Sequence, residues 1–241
     1  MEEFDVIPMF SSPLFSVIVN EDTDELKESN SKFIASTLQG SDNLENATFT
    51  ILDEHPRVKN ILLSYWKKVN KEFLFNDCEH IISTSWITKI ERGQFSQVHW
   101  HKNSYYSAVY YYDDYDDECA DLIMLNPLDK YTDFYTPSSD QNNIFTSAVW
   151  GAKPKKNKLL FFPSYISHSV GQHRSNSSRY SLAFNICPIG EYGNGDSYMD
   201  TRWYNQSTRI KEEKLGSTSE WSFDMLSETK KSNSMYPGDD Q

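Results

Sequence analysis

From His80 onward the apolar residues of this chain recur at every second position, and that alternation excludes most folds. A period of two marks a half-buried β-strand, whose successive side chains leave on opposite faces. His80–Ile90 sets Ile82, Thr84, Trp86, Thr88 and Ile90 on one face, and Gly93 ends the run. Further segments of strand character follow at 96–101, 106–112, 121–126, 143–149, 158–163 and 179–186. Polar or turn-rich stretches separate them at 113–118, 127–143, 151–157 and 169–178. Many short strands joined by turns bury their apolar faces best as two packed sheets or one closed sheet. The aromatic residues (Tyr 15, Phe 14, Trp 6) suit that pleated surface.

Helices come first in the chain. Residues 10–19 read as a short lead-in strand, with Pro13 confining it to an edge or a start. Asp22-Thr23-Asp24 offers a cap and acidic first turn to a modest amphipathic helix that runs to about Leu38 and ends near Gly40. A stronger helix spans Pro56 to Phe73, where Val58, Ile61, Leu62, Tyr65, Trp66, Val69 and Phe73 form one stripe. Such a stripe packs on a sheet and carries no chemistry. The expected class is therefore mainly β with flanking helices: a β-sandwich or jelly roll with the helices packed outside. Residues 1–200 make one domain. Gly190–Ser197 reads as a loop, and 201–241 as a polar C-terminal extension with scattered apolar anchors such as Trp203, Trp221 and Phe223.

Charge and cysteine usage narrow the partners. The formal net charge of -12 repels a nucleic-acid backbone, and the densest basic patch, Lys153–Lys158, reads as a solvated turn. The three cysteines (Cys78, Cys119, Cys187) are scattered, with neither a disulfide framework nor zinc spacing, which fits a reducing cytoplasm. The start of the chain is acidic, unlike a signal peptide, and no apolar run is long enough to span a membrane. Asp113–Glu118 lacks the glycine and spacing of an EF-hand loop and reads as a solvated loop. Neither a glycine-rich phosphate loop nor a G-x-S-x-G elbow occurs, and Cys119 and Cys187 have no local activating base. His173, in a polar loop, is expected to be exposed.

The chemistry concentrates in Gln97-Val98-His99-Trp100-His101-Lys102-Asn103-Ser104 and in Phe161–His168. On an extended backbone His99 and His101 aim their imidazoles the same way. An H-x-H pair alone is more often two solvent-facing histidines. His168, beyond a hydrophobic strand and a Pro-Ser turn, supplies a third imidazole from another strand. Three nitrogen donors with coordination positions left open suit a transition metal. Arg179 opens the next strand and returns near His168. Arg179, Ser181, Ala183 and Asn185 share one face; Tyr180, Leu182 and Phe184 share the other. A guanidinium on an inner face is costly unless paired. A bidentate carboxylate ligand would pair it, and so would an internal Asp or Glu.

These blocks occur in a particular order: Trp86, Gly93, His99, His101, Asn103, Ser104, Ser107 and Val109-Tyr110-Tyr111; then Leu160, Phe162-Pro163-Ser164, His168 and Val170; then Arg179, Ser181 and Phe184-Asn185. In that order they resemble the 2-oxoglutarate- and Fe(II)-dependent oxygenases whose motif begins H-x-H-x-N-S. The resemblance covers roughly residues 10–190. It implies a double-stranded β-helix (jelly roll) and a dioxygenase that decarboxylates 2-oxoglutarate to succinate and CO2 while hydroxylating a substrate. It assigns His99 and His168 to Fe(II), and Arg179 to the distal carboxylate of 2-oxoglutarate, with Ser181, Tyr110 and Asn103 as helpers. One departure stands out. The wider superfamily uses two histidines and a carboxylate, and here His101 occupies the carboxylate position. Either His101 is a third nitrogen ligand or it stands off and water completes the site; Asp121 is a distant replacement. A three-histidine cupin-like dioxygenase, a zinc site and a non-catalytic metal- or ligand-binding jelly roll stay open beside it. The substrate, a small molecule or peptide, is not identified, and pairing of edge strands into a homodimer is an expectation from the fold class.

Overall fold

The computed structural model describes residues 11–35, 46–75, 78–128 and 147–202. Within them the chain forms β1 (Phe15–Ile18), a 3-10 helix (Asp24–Lys32), β2 (Phe33–Ala35), α1 (Ile51–Glu54) and α2 (Pro56–Val69), which runs into a π-turn (Asn70–Leu74). Then follow β3 (Glu79–Ile90), β4 (Tyr106–Tyr111), β5 (Leu122–Leu125), β6 (Val149–Ala152), β7 (Lys158–Pro163), β8 (His168–Val170) and β9 (Arg179–Ile189). A two-stranded hairpin, β10 (Glu191–Tyr192) with β11 (Met199–Asp200), occupies the stretch expected to be a loop.

Six strands make one sheet in the order β1-β7-β4-β9-β3-β2, and three make a second in the order β6-β5-β8. A bridge between His99 and His168 adds the 96–101 segment beside β8. The chain thus passes from the large sheet (β3) to the small one (96–101), back (β4), to the small one twice (β5, β6), back (β7), to the small one (β8) and back (β9). That exchange is the winding of a jelly roll, the fold class expected above. Between the sheets lies an apolar cluster of Val109, Tyr111, Leu160 and Phe162 from the large sheet against Leu122, Met124 and Ala152 from the small one.

The outer face of the large sheet carries a second cluster. Tyr106, Ala108, Tyr110, Leu159, Phe161, Leu182, Phe184 and Ile186 pack there against Val58, Leu62, Tyr65 and Trp66 of α2. Pro56 stands in the first turn of α2, where its missing N–H costs nothing. The predicted stripe holds as far as Val69. The π-turn then widens the winding, so that Leu74 packs on the core while Phe73 is 59% exposed.

Three expectations need correction. The helix from Asp22 to Leu38 is a 3-10 helix over Asp24–Lys32 only; Phe33-Ile34-Ala35 instead pairs parallel with Ile87-Thr88-Lys89, as β-branched and aromatic residues favour. Thr23 does not cap it: its Oγ1 lies 2.6 Å from Tyr110 Oη. Strand β3 is not a single period-two run. A bulge shifts its register between Ile82 and Thr84, so Ile82 packs on the helix side, and past it Ser85 and Ile87, not Thr84, Trp86 and Thr88, alternate toward that side. The strand placed at 143–149 is β6 over Val149–Ala152; 143–146 lie outside the described residues, as do Leu38, Gly40 and, from 203 onward, the C-terminal extension. No helix among the described residues is long and apolar enough to cross a membrane.

Candidate metal centre

The winding brings His99, His101 and His168 together. His99 and His168 face each other across the small sheet, exchanging both backbone bonds (His99 N–H to His168 O, 2.9 Å; His168 N–H to His99 O, 2.8 Å). The His101 N–H reaches Ser164 O at 3.1 Å, holding the second histidine beside the first. The ring centroids lie 4.4 Å (His99–His168), 5.1 Å (His101–His168) and 5.2 Å (His99–His101) apart. One nitrogen from each falls within 4.8 Å of the others. Burial is graded: His168 is 4% exposed, His101 half-buried and His99 exposed, so the group opens to solvent on the His99 side.

Local backbone geometry sets the tautomers. His99 Nδ1 lies 2.9 Å from Gln97 O, and His168 Nδ1 lies 2.9 Å from Ile166 O. A carbonyl only accepts, so each Nδ1 carries the proton and each Nε2 keeps its lone pair for a ligand. Burial, joined by His99, pushes His101 down to about 4. His168 is pushed down to about 3, by burial first and then by His99 and His101, against the bond to Ile166. Both are therefore neutral near pH 7, the form a metal requires. Phe162 stands edge-on to His168 at 4.9 Å, and Trp86 tilts against His101 at 5.4 Å. Among the described residues no carboxylate joins the three histidines, Asp121 included.

Arg179, at the start of β9, is 1% exposed. Its Nε donates to Ala120 O (3.1 Å), its Nη1 to Ser181 Oγ (3.1 Å) and its Nη2 to Tyr111 Oη (3.2 Å), with the guanidinium 5.2 Å from the Tyr111 ring centre. Every one of these partners is neutral, and no ion pair to Arg179 occurs among the described residues. The described residues use three of the five N–H bonds a guanidinium carries, which leaves donors for an incoming anion. Ser181 Oγ is also 2.8 Å from Thr88 Oγ1. Tyr111 lies in the inter-sheet cluster with Phe162, which touches His168, so the guanidinium and the His168 imidazole border one interior.

The remaining predicted residues fall elsewhere. Tyr110 points to the opposite face of the large sheet, buried among the helix-side residues with its hydroxyl on Thr23; the phenol that meets Arg179 is Tyr111. All six residues of β4 are buried, so alternation gave no phase by which to choose between the two tyrosines. Asn103 is exposed, at φ +56, in the turn before β4, and its carbonyl accepts from Cys187 Sγ at 3.4 Å. His173, expected to be exposed, is fully buried. Ser164, which the sequence placed only in a turn, links Ser104 and Ser107 (2.9 Å each), and Ser107 donates to Asn185.

Residues 84–185 match the family model described as "Putative 2OG-Fe(II) oxygenase". The matched stretch, a 2OG-Fe(II) oxygenase domain, holds His99, His101, His168 and Arg179. No curated protein sequence matches the chain. Solved structures similar to it include a 2OG-Fe(II) oxygenase-family oxidoreductase from Burkholderia pseudomallei (15% identity, 46% of each chain, TM-score 0.34). Others are a prolyl-4-hydroxylase from Pseudomonas putida (14% identity, 73% of this chain and 85% of that one, TM-score 0.43) and HygX from Streptomyces hygroscopicus with nickel and 2-oxoglutarate bound (10% identity, 73% and 82%, TM-score 0.46). The oxygenase domain is identified by the sequence match over 84–185 alone.

Proposed function

We propose that this chain is a 2-oxoglutarate- and Fe(II)-dependent dioxygenase that hydroxylates a small molecule or peptide. The observation that carries the reading is a buried guanidinium with no carboxylate partner among the described residues, in a jelly roll that brings three imidazoles together. A cation at 1% exposure among neutral partners is stabilised by an anion that enters from outside. A dicarboxylic acid fits: one carboxylate reaches the guanidinium while the other end reaches the metal. His99 and His168 would hold Fe(II) through Nε2, with His101 as the third nitrogen donor. Such an all-nitrogen set is one charge more positive than two histidines and a carboxylate, which the doubly negative cosubstrate offsets. When bound, iron supplies the activation of oxygen that is coupled to decarboxylation of 2-oxoglutarate to succinate.

The chain's own residues would bind and orient. Arg179, Ser181 and Tyr111 fix the distal carboxylate, Phe162 and Trp86 wall the imidazoles, and the exposed His99 side admits the substrate. Three widely scattered cysteines fit a cytoplasmic setting, and the net charge of -12 speaks against a nucleic-acid partner.

The test is succinate formation from 2-oxoglutarate by the iron-loaded full chain under oxygen, with bound iron measured in parallel. Slow succinate release is expected even without the prime substrate. Among the described residues no carboxylate stands beside the three histidines, which favours a second reading, a metal-binding jelly roll without turnover. Stoichiometric iron with no succinate would select it.

A further inference from the structure

We propose that His173 is a positioning residue for Arg179, acting through Ala120, and thereby sets the affinity for the dicarboxylate. The inference rests on the role proposed above for Arg179. His173 lies in the 171–178 loop, yet its ring is fully buried. Its Nε2 is 2.7 Å from Ser177 O. The carbonyl can only accept, so Nε2 bears the proton and Nδ1 the lone pair. Into that lone pair the N–H of Ala120 donates at 3.3 Å. The carbonyl of the same Ala120 accepts from Arg179 Nε at 3.1 Å. Ala120 is thus held at its N–H by the imidazole and holds the guanidinium by its oxygen.

The imidazole is itself anchored. The His173 N–H donates to Gln94 O (2.8 Å), and its carbonyl accepts from Gly93 N–H (2.7 Å), fixing the loop on the turn after β3. The N–H groups of Arg174 and Ser175 both reach Glu118 O at 3.2 Å, which ties the same loop to the segment leading into Ala120. Of the three bonds that orient Arg179, two come from side chains that rotate; the bond to Ala120 is made by backbone. Without the Nδ1 acceptor, Ala120 is free to turn and the Nε end of the guanidinium loses its stop. The two remaining N–H directions then no longer converge on one carboxylate position.

Two variants separate the two bonds of the ring. In His173→Asn the Oδ1 takes the place of Nδ1, keeping the acceptor for Ala120 and giving up Ser177. In His173→Gln the side-chain amide nitrogen takes the place of Nε2, keeping Ser177 and giving up Ala120. The full chain loaded with Mn(II), which avoids turnover, is titrated with 2-oxoglutarate by calorimetry. Solvent exchange of the Arg179 Nε–H is followed by NMR in the metal-free protein. His173→Gln should weaken 2-oxoglutarate binding about tenfold and speed Nε–H exchange. His173→Asn should stay within about threefold of the parent with Nε–H protected, and metal affinity should be equal in all three. Equal behaviour of the two variants in both measurements would overturn the proposal. If the parent itself fails to bind 2-oxoglutarate while the exchange pattern follows the prediction, His173 positions Arg179 for some other anion and the cosubstrate reading falls instead.

Discussion

A full positive charge whose hydrogen-bond partners among the described residues are all neutral defines Arg179, and its replacement gives a sharp expectation. Arg179→Ala removes the charge-assisted bonds to a carboxylate, worth about 3 kcal/mol or roughly a hundredfold in affinity. The 2-oxoglutarate Kd should rise by that factor while metal content, measured by atomic spectroscopy, stays at the parent level. Equal affinity in the variant would remove the role assigned to the guanidinium. At this scale the sequence was legible where strand geometry alone decides. His99 and His101 lie two apart, and Arg179 and Ser181 lie two apart, so each pair shares a face whatever the rest of the fold does. It was illegible where both faces are buried, as in β4, where Tyr110 and Tyr111 differ only in which core they enter. It was misleading at His173, whose polar neighbours say nothing of a loop that folds inward.

Among the elements, α2 supplies the support on which the site-bearing sheet rests. Trp66 is fully buried and meets Tyr106 at 4.7 Å and Phe161 at 5.6 Å. Trp66→Ala should cost about 3–5 kcal/mol in urea unfolding, the usual range for a large aromatic removed from a core. Because Trp66 packs on the helix side, metal affinity of the folded variant should match the parent. A loss under about 1 kcal/mol would mean that the helix does not brace the sheet as described. The helix itself was legible from its 3.6-residue stripe. The bulge in β3 was not: one extra residue inverts the faces that follow, and nothing in Ile82-Ser83-Thr84 announces it. Through that inversion the helix side passes from Ile82 to Ser85 and Ile87, and Trp86 meets His101.

For the whole molecule, the alternation of short strands named the architecture, and the exchange of strands between two sheets supplies it. The early segment escaped this reasoning because pairing with β3, a tertiary event, turned the expected end of a helix into β2. Global stability carries a signature of His80, which is 3% exposed, with no hydrogen-bond partner for Nε2 among the described residues. Burial lowers its pKa, opposed by a bond to the Cys78 backbone. The unfolded chain therefore binds more protons just below about 6.5, the ordinary imidazole value. Stability is fully present above that pH and falls as pH drops toward the lowered folded value. In chelator-treated protein, urea midpoints between pH 7 and pH 5 should fall less in His80→Phe than in the parent, the histidines of the metal centre contributing equally to both. Parallel curves would contradict this.

A metal on three imidazoles and a dicarboxylate on Arg179 should occupy the protein together. An anaerobic optical titration reads both at once: Fe(II) is added to the full chain, then 2-oxoglutarate. A weak visible charge-transfer band should appear only after the second addition, saturate at one cosubstrate per iron, and be missing from Arg179→Ala at the same concentration. Bound iron that gives no such band in the parent protein would contradict the account.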